Sequence, residues 1–568
     1  MKKSTKHLTA TLCVAALLAA TSFGGGFANA ASPLPQKSTT GMVMSTNQTA
    51  NAIGTDILNQ GGNAFDAAVA VGYALAVVHP AAGNIGGGGF AILHSANGKS
   101  VALDFREVAP AKATRDMYLD ANKNPIPNAS TVGYLAAGVP GTVAGMSAIN
   151  EKYGSMPLNK LIEPAINLAN TGIHLTERQG QTWAEAVPDF NMFKSSQKYF
   201  LKTDGTPYKE GDLFVQKDLA KTLDMIAKEG SSAFYKGKIA DMIANDMAKN
   251  KGIITKQDLA NYQVVWRAPI EGTYRGYDII SMSPPSSGGT HLLEILNVME
   301  NANIHDMGFG SSQTIHLMAE AERQAYADRS EYMGDPAFVK VPVTQLTDKT
   351  YAKKIFDAIK PDKATPSTDV KPGLGPINEG NNTTHYSVVD KWGNAVSVTY
   401  TINDLFGSRA AVDGAGFLLN NEMDDFSIKA GVPNLYGLVG SDANAIAPGK
   451  RPLSSMTPTM VMKNGKLFMV VGSPGGARII TTVLQVVSNV IDHDMNISQA
   501  VEAPRFHMQW LPDQIRIEQY GMSKDVQDAL EKMGYKIVIL PLMGDVNAIV
   551  VDPTTGVIYG SGDPRTEF

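Results

Sequence analysis

The chain has 568 residues, 43% hydrophobic and 18% charged, which supplies a large apolar core and excludes an intrinsically disordered protein. Its formal charge of −5 argues against a nucleic-acid partner, and its ten histidines, scattered without HExxH or paired spacing, give no sign of a metal site. Cys13 is the single cysteine, and it lies in the leader described next, which rules out a disulfide framework in the mature chain.

Met1 to Ala30 carries Lys2, Lys3 and Lys6, then an apolar run from Leu8 to Ala20, then Ala28-Asn29-Ala30. That order predicts a secretory signal cut after Ala30 and a periplasmic or secreted protein, with the formal charge moving from −5 to −8 as three lysines leave. The longest later apolar run, Ala67 to Val78, is too short to span a bilayer, so no membrane association is expected after the signal is removed. Gln48–Leu58 and Asn63–Val78 read as two helices separated by Gly61-Gly62, the second apolar nearly all round as for a helix between layers. The glycine-rich segment Gly83 to Gly89 lacks both the Gly-Lys-Ser/Thr of a P-loop and the acid of a dinucleotide fingerprint, which leaves close backbone packing. Phe90–His94 and Ser100–Phe105 read as strands joined at Asn97-Gly98, delivering Arg106 at the end of the second. A lone arginine there fits an ordinary salt bridge as well as a binding role.

From Gly141 to Met247 the pattern is mostly helical, and Ile253–Tyr262 and Tyr274–Ser283 mix helix and strand. Ser283 to Gly289 reads as a rigid loop without the GxSxG spacing of a serine hydrolase, and Thr314–Arg329 as an amphipathic helix after which a linker begins. Pro361 to Asn382 is that linker by composition, with Pro, Gly, Ser and Asn at short intervals. It ends on a β-hairpin: Thr384–Val389 and Ala395–Thr401 flank the turn Lys391-Trp392-Gly393-Asn394. A turn centred on Trp392 places Thr383 opposite Thr401, within reach for hydroxyl pairing. A cut between Asn382 and Thr383 would free an α-amine able to act as base for the Thr383 hydroxyl, and the same residues equally fit a loop entering a Thr-rich edge strand. Further on, Gly416–Asn420 reads as a short strand leading to the acids of Asn421-Glu422-Met423-Asp424-Asp425, which lack EF-hand spacing, and Asn496 to Gln499 starts a capped helix.

Taken in order, TTHYSVVDKWGNAVSVTYTIN, LLNNEMDDFS, PNLYGLVG, KRPLSSM and GSPGGARII closely resemble the small subunit of the γ-glutamyltranspeptidases, and the likeness runs from about residue 35 to the C-terminus. The resemblance implies an α+β fold, the four-layer αββα sandwich of N-terminal nucleophile hydrolases, with 31–382 as large subunit and 383–568 as small subunit of a self-cleaved heterodimer that is open to pairing into a larger assembly. It implies Thr383 as nucleophile and its own base, Thr401 as the residue orienting it, and the Gly475 and Gly476 amides as oxyanion donors. Arg106, Ser454 and Ser455 would hold the substrate α-carboxylate, Asp425 the α-ammonium with Glu422 and Asn403 nearby, and Tyr436 in the Val432–Asp442 lid would screen the pocket. No cofactor is implied. Ala477 stands where many relatives carry serine, and Leu405 also departs from the small or polar residue expected there. The implied activity is transfer of the γ-glutamyl group of glutathione, glutamine and related amides to water or to an amino-acid or dipeptide acceptor. Two alternatives stay open: an acylase for glutaryl or γ-glutamyl amides, and, from another class, an exported solute-binding protein.

Overall fold

Side-chain alternation along the 384–401 hairpin sets the layers of the fold. In the computed structural model, which describes residues 33–370 and 383–565, Thr384–Asp390 and Ala395–Thr401 are buried along their whole length, and they turn apolar groups to both sides. Tyr386, Val388, Val396, Val398 and Tyr400 enter one core, and Val389 and Ala395 enter the other. The expected signal segment and Asn382 lie outside the described residues.

The hairpin sits inside a six-stranded antiparallel sheet in the order Gly41–Ser45, Thr384–Asp390, Ala395–Thr401, Gly88–His94, Ser100–Phe105, Val265–Arg267. A seven-stranded antiparallel sheet packs on it, in the order Gln36–Ser38, Ile558–Gly562, Asn547–Val551, Lys466–Val471, Thr459–Lys463, Tyr277–Ser281, Ile270–Tyr274. Hydrogen bonds stitch the inner faces together: Ser387 Oγ donates to Asn547 O at 2.8 Å and Ser397 Oγ to Val471 O at 3.3 Å. Helices Ala64–Val78, Thr142–Tyr153 and Leu158–Thr171 cover the outer face of the first sheet, and Gly288–Met299, Ser312–Tyr332 and Ile479–Ile491 cover the second, giving an αββα sandwich.

Local sequence explains several of these elements. Ala64–Val78 starts on a capping box between Asn63 and Asp66, and all its residues are buried, as an apolar helix between layers must be. Ile497–Glu502 likewise starts on a capping box, Asn496 with Gln499. Four segments depart from what their sequence pattern predicts. Gly416–Asn420 is not a strand: Leu418 makes a single bridge to Ala411, and Glu422–Asp425 is a 3₁₀ turn. Gly288 and Gly289 open a helix instead of closing a loop. The Ser312–Tyr332 helix is buried on most sides instead of amphipathic, its charged groups being hydrogen-bonded by partners far away in sequence. Two more helices, Val343–Leu346 and Lys349–Ala358, precede the linker. Within the linker, residues 361–370 are held to the body, Ala364 N–H by Met533 O at 2.8 Å and Ser367 Oγ by Trp510 O at 2.6 Å, and 371–382 lie outside the described residues. No helix among the described residues is long and apolar enough to cross a membrane.

Candidate active site

The hairpin register pairs Thr384 with Tyr400 and Val389 with Ala395, so one further step sets Thr383 opposite Thr401, as a turn centred on Trp392 requires. The two hydroxyl oxygens are 3.5 Å apart, with Thr383 donating. Thr401 Oγ also accepts the Asn403 N–H at 2.8 Å, which fixes the Thr401 rotamer. Asn403 has a left-handed backbone, φ 72°, and its amide donates to Asn421 O at 3.0 Å. The glycine-rich loop packs directly beneath: a Cβ on Gly87 would lie 1.9 Å from Thr401 O, so only glycine allows this approach.

Arg106 leaves the Ser100–Phe105 strand fully buried, its own N–H held by Asp104 Oδ1 at 3.0 Å. Its guanidinium binds Glu422 and Asp425, donates to Pro452 O at 3.3 Å and Leu453 O at 3.1 Å, and lies 3.6 Å from Glu107. Burial disfavours the Arg106 charge, but Glu422 and Asp425 outweigh that and hold it firmly protonated. Burial lifts the Glu107 carboxyl to about 7 and Glu422 well above the carboxylate range, and it raises Asp425 too, each against the pull of Arg106. A second guanidinium, Arg329, lines the same pocket from the Ser312–Tyr332 helix. The roles expected of Arg106, Asp425 and Glu422 bring one cation and two acids here; the folded pocket adds the Arg329 guanidinium, and Glu107 lies buried beside Arg106. Glu107 adjoins a residue already singled out, but Arg329 sits in a helix whose charges looked solvated, and nothing local marks it.

Ser454 and Ser455 reach the pocket on a loop clamped by the Ser283–Gly289 segment: Ser454 N–H donates to Pro285 O at 3.0 Å, and Ser454 O accepts both the N–H and the Oγ–H of Ser287 at 2.8 Å. Gly475 and Gly476 have positive φ, 136° and 55°, and among the described residues neither amide donates a hydrogen bond. Glycine is required at 476 on space as well, since a Cβ would lie 2.5 Å from the Tyr436 ring. Tyr436 is buried, and its hydroxyl donates to Asn403 O at 2.6 Å. The 432–442 segment is tied down further by Asn434 Nδ2 on Asp425 Oδ1 at 3.0 Å. At the two departures, Ala477 offers its carbonyl to Tyr326 Oη, and Leu405 lines the neighbouring cleft.

One narrow pocket therefore gathers Arg106, Thr383, Thr401, Asn403, Glu422, Asp425, Tyr436, Ser454, Ser455 and Gly476. Gly475 lies outside it and lines a second cleft of about 190 Å³ with Thr383, His79, Arg178 and Asp545. Burial and the nearby Arg178 charge push His79 down to about 4, so it is neutral there. Thr383 belongs to both cavities, with one glycine of the pair on each side. This arrangement suits a substrate with a zwitterionic end in the narrow pocket, an acyl carbon at Thr383 and a leaving group in the wider cleft. Among the described residues no group of acids and histidines is placed to hold a metal.

A family model described as gamma-glutamyltranspeptidase matches residues 50–567. The glutathione hydrolase proenzyme of Escherichia coli (strain K12) is 53% identical, covering 98% of this chain and 97% of its own. Among solved structures, cephalosporin acylase from Bacillus halodurans aligns at TM-score 0.84 and 28% identity over 96% of this chain and 98% of that one. Helicobacter pylori γ-glutamyltranspeptidase is 59% identical at TM-score 0.57, over 62% of this chain and 99% of that one.

Proposed function

The chain belongs to the γ-glutamyltranspeptidase family, and from that premise we propose that cleavage before Thr383 arms the residue that performs the transfer. The protein is a γ-glutamyltransferase and glutathione hydrolase with an N-terminal nucleophile hydrolase fold. Its leader, Met1 to Ala30, directs export and is removed. The self-cut then divides the remainder into a large subunit, 31–382, and a small subunit beginning at Thr383, which stay together as a heterodimer.

In the reaction the Thr383 Oγ attacks the γ-carbonyl carbon, and the freed α-amine takes the hydroxyl proton. The carbonyl oxygen becomes an oxyanion facing the Gly475 and Gly476 amides, which are fixed donors in a largely buried site. Collapse breaks the C–N bond, the α-ammonium returns the proton to the leaving amine, and a γ-glutamyl ester on Thr383 remains. Water or an acceptor amine entering by the wider cleft attacks the ester with the same α-amine as base, giving glutamate or a new γ-glutamyl amide. Arg106 with Ser454 and Ser455 takes the α-carboxylate, while Asp425, Glu422 and Asn403 take the α-ammonium. Buried carboxyl groups at that end favour a γ-glutamyl donor over a glutaryl one, which has no ammonium to offer them.

The observation that carries this reading is the place of Thr383, at the junction of the two cavities and between the two glycines. Mass measurement of the purified protein tests it: two fragments are expected, the smaller starting at Thr383, with Thr383→Ala uncut and inactive and Thr383→Ser retaining part of both activities. A fully active single chain, as a solute-binding scaffold would also remain single, refutes it.

A further inference from the structure

Arg329 lies in the pocket with no part in the chemistry described so far. It is almost fully buried, and among the described residues it forms no ion pair. Its Nε donates to Ser287 Oγ and its Nη2 to Ser455 Oγ, both at 2.9 Å. A guanidinium has donors only, whereas a serine hydroxyl has one proton and two acceptor lone pairs, so in each contact the serine must accept. For Ser287 the remaining proton goes to Ser454 O at 2.8 Å, which anchors the loop that carries both pocket serines. For Ser455 the proton is left for the pocket. Ser454 is set the same way by a different donor, since its Oγ accepts the Met456 N–H at 3.1 Å. Both hydroxyls thereby keep a proton to donate to a guest, which suits an anion.

Resting on the reading of this pocket as the γ-glutamyl site, we propose that Arg329 is a positioning residue for the donor α-carboxylate, acting through Ser455: it fixes that hydroxyl as a donor and supplies a second positive charge behind Arg106. Lysine cannot replace it, because an ammonium presents a point charge where a planar fork must serve two serines at once. The charge is held at a cost, since burial draws the Arg329 pKa down to about 10, with the nearby Tyr326 and then Asp425 opposing the shift and Arg106 adding to it. An incoming carboxylate relieves that burial by giving the guanidinium a counter-charge.

The test uses the full-length, processed enzyme and two anilide donors, γ-glutamyl and 4-aminobutyryl, the second keeping the ammonium but lacking the α-carboxylate. Arg329→Gln should still cleave itself. Its KM for the γ-glutamyl donor should rise roughly 30-fold with kcat changed only a few-fold, and its kcat/KM on the 4-aminobutyryl donor should fall no more than about threefold. Adding Ser455→Ala to Arg329→Gln should cost little more, because the two residues act as one unit. Should the Gln variant fail to fold, Arg329→Lys keeps the charge, and a KM about tenfold above wild type still separates the positioning role from a purely structural one. Equal losses on both donors, additive losses with Ser455→Ala, or a wild-type KM for the Lys variant would each overturn the proposal. A wild-type enzyme with no preference for the γ-glutamyl donor would instead sink the underlying reading of the pocket, and this proposal with it.

Discussion

Replacing Asp425 by alanine removes one of three carboxyl groups around Arg106 and should separate the two ends of the donor energetically. The Asp425 side chain is 11% exposed, so solvent screens its charge poorly, and it touches both Arg106 and Asn434. Truncating one member of a desolvated charge pair costs about 2 to 5 kcal/mol. Glu422 stays on Arg106 in the variant, so the lower part of that range applies, about 2 to 3 kcal/mol, or a loss of roughly 30- to 150-fold in kcat/KM at 1.36 kcal/mol per decade. A glutaryl anilide has no ammonium to lose a partner, and removing a carboxylate from its pocket relieves repulsion, so its kcat/KM should fall little or rise. Steady-state kinetics of wild type and Asp425→Ala on the γ-glutamyl and glutaryl anilides decide the matter. Equal losses on both donors would refute Asp425 as the ammonium partner and reopen the acylase reading.

Thr401→Ala should slow self-cleavage and turnover roughly 2- to 12-fold, the worth of one hydrogen bond of about 0.5 to 1.5 kcal/mol, and it should also lower the melting temperature because the buried Asn403 N–H loses its acceptor. Thr401→Ser should restore both, and unchanged rates in the alanine variant would show that the 3.5 Å contact to Thr383 does not orient the nucleophile. Glu294 and Asp328 meet between the Gly288–Met299 and Ser312–Tyr332 helices, with His291 on Glu294 at 2.6 Å and Tyr351 on Asp328 at 2.6 Å, and burial lifts each carboxyl to about 8. A carboxyl raised in the folded state stabilises below its unfolded value and loses that contribution as pH climbs through the folded one, here between about 4 and 8. Thermal melts from pH 5 to 9 should therefore fall less steeply for Glu294→Gln than for wild type, and parallel curves would remove this pair as a source of alkaline instability.

The features legible in the chain were those made by residues close together in sequence. The hairpin register follows from one turn, the capping box of Asn496 with Gln499 from a three-residue spacing, and the glycine-rich contacts from the absence of a side chain, so each is encoded where it is used. The order of the motifs around Thr383 was enough to indicate the family and the roles expected of Arg106, Asp425 and the serine pair. What only the tertiary structure decided was charge: Ser312–Tyr332 looks half solvated because its Glu320, Glu322, Arg323, Asp328 and Arg329 are polar, yet Tyr535, Met508 N–H, Asp513, Tyr351 and Ser455 reach them from distant segments and allow their burial. The same holds where Glu107, Glu422 and Asp425 converge on Arg106. Giving a buried polar or charged group a partner is a through-space requirement, satisfied by whichever group the fold brings within about 3 Å, and no spacing along the chain records it.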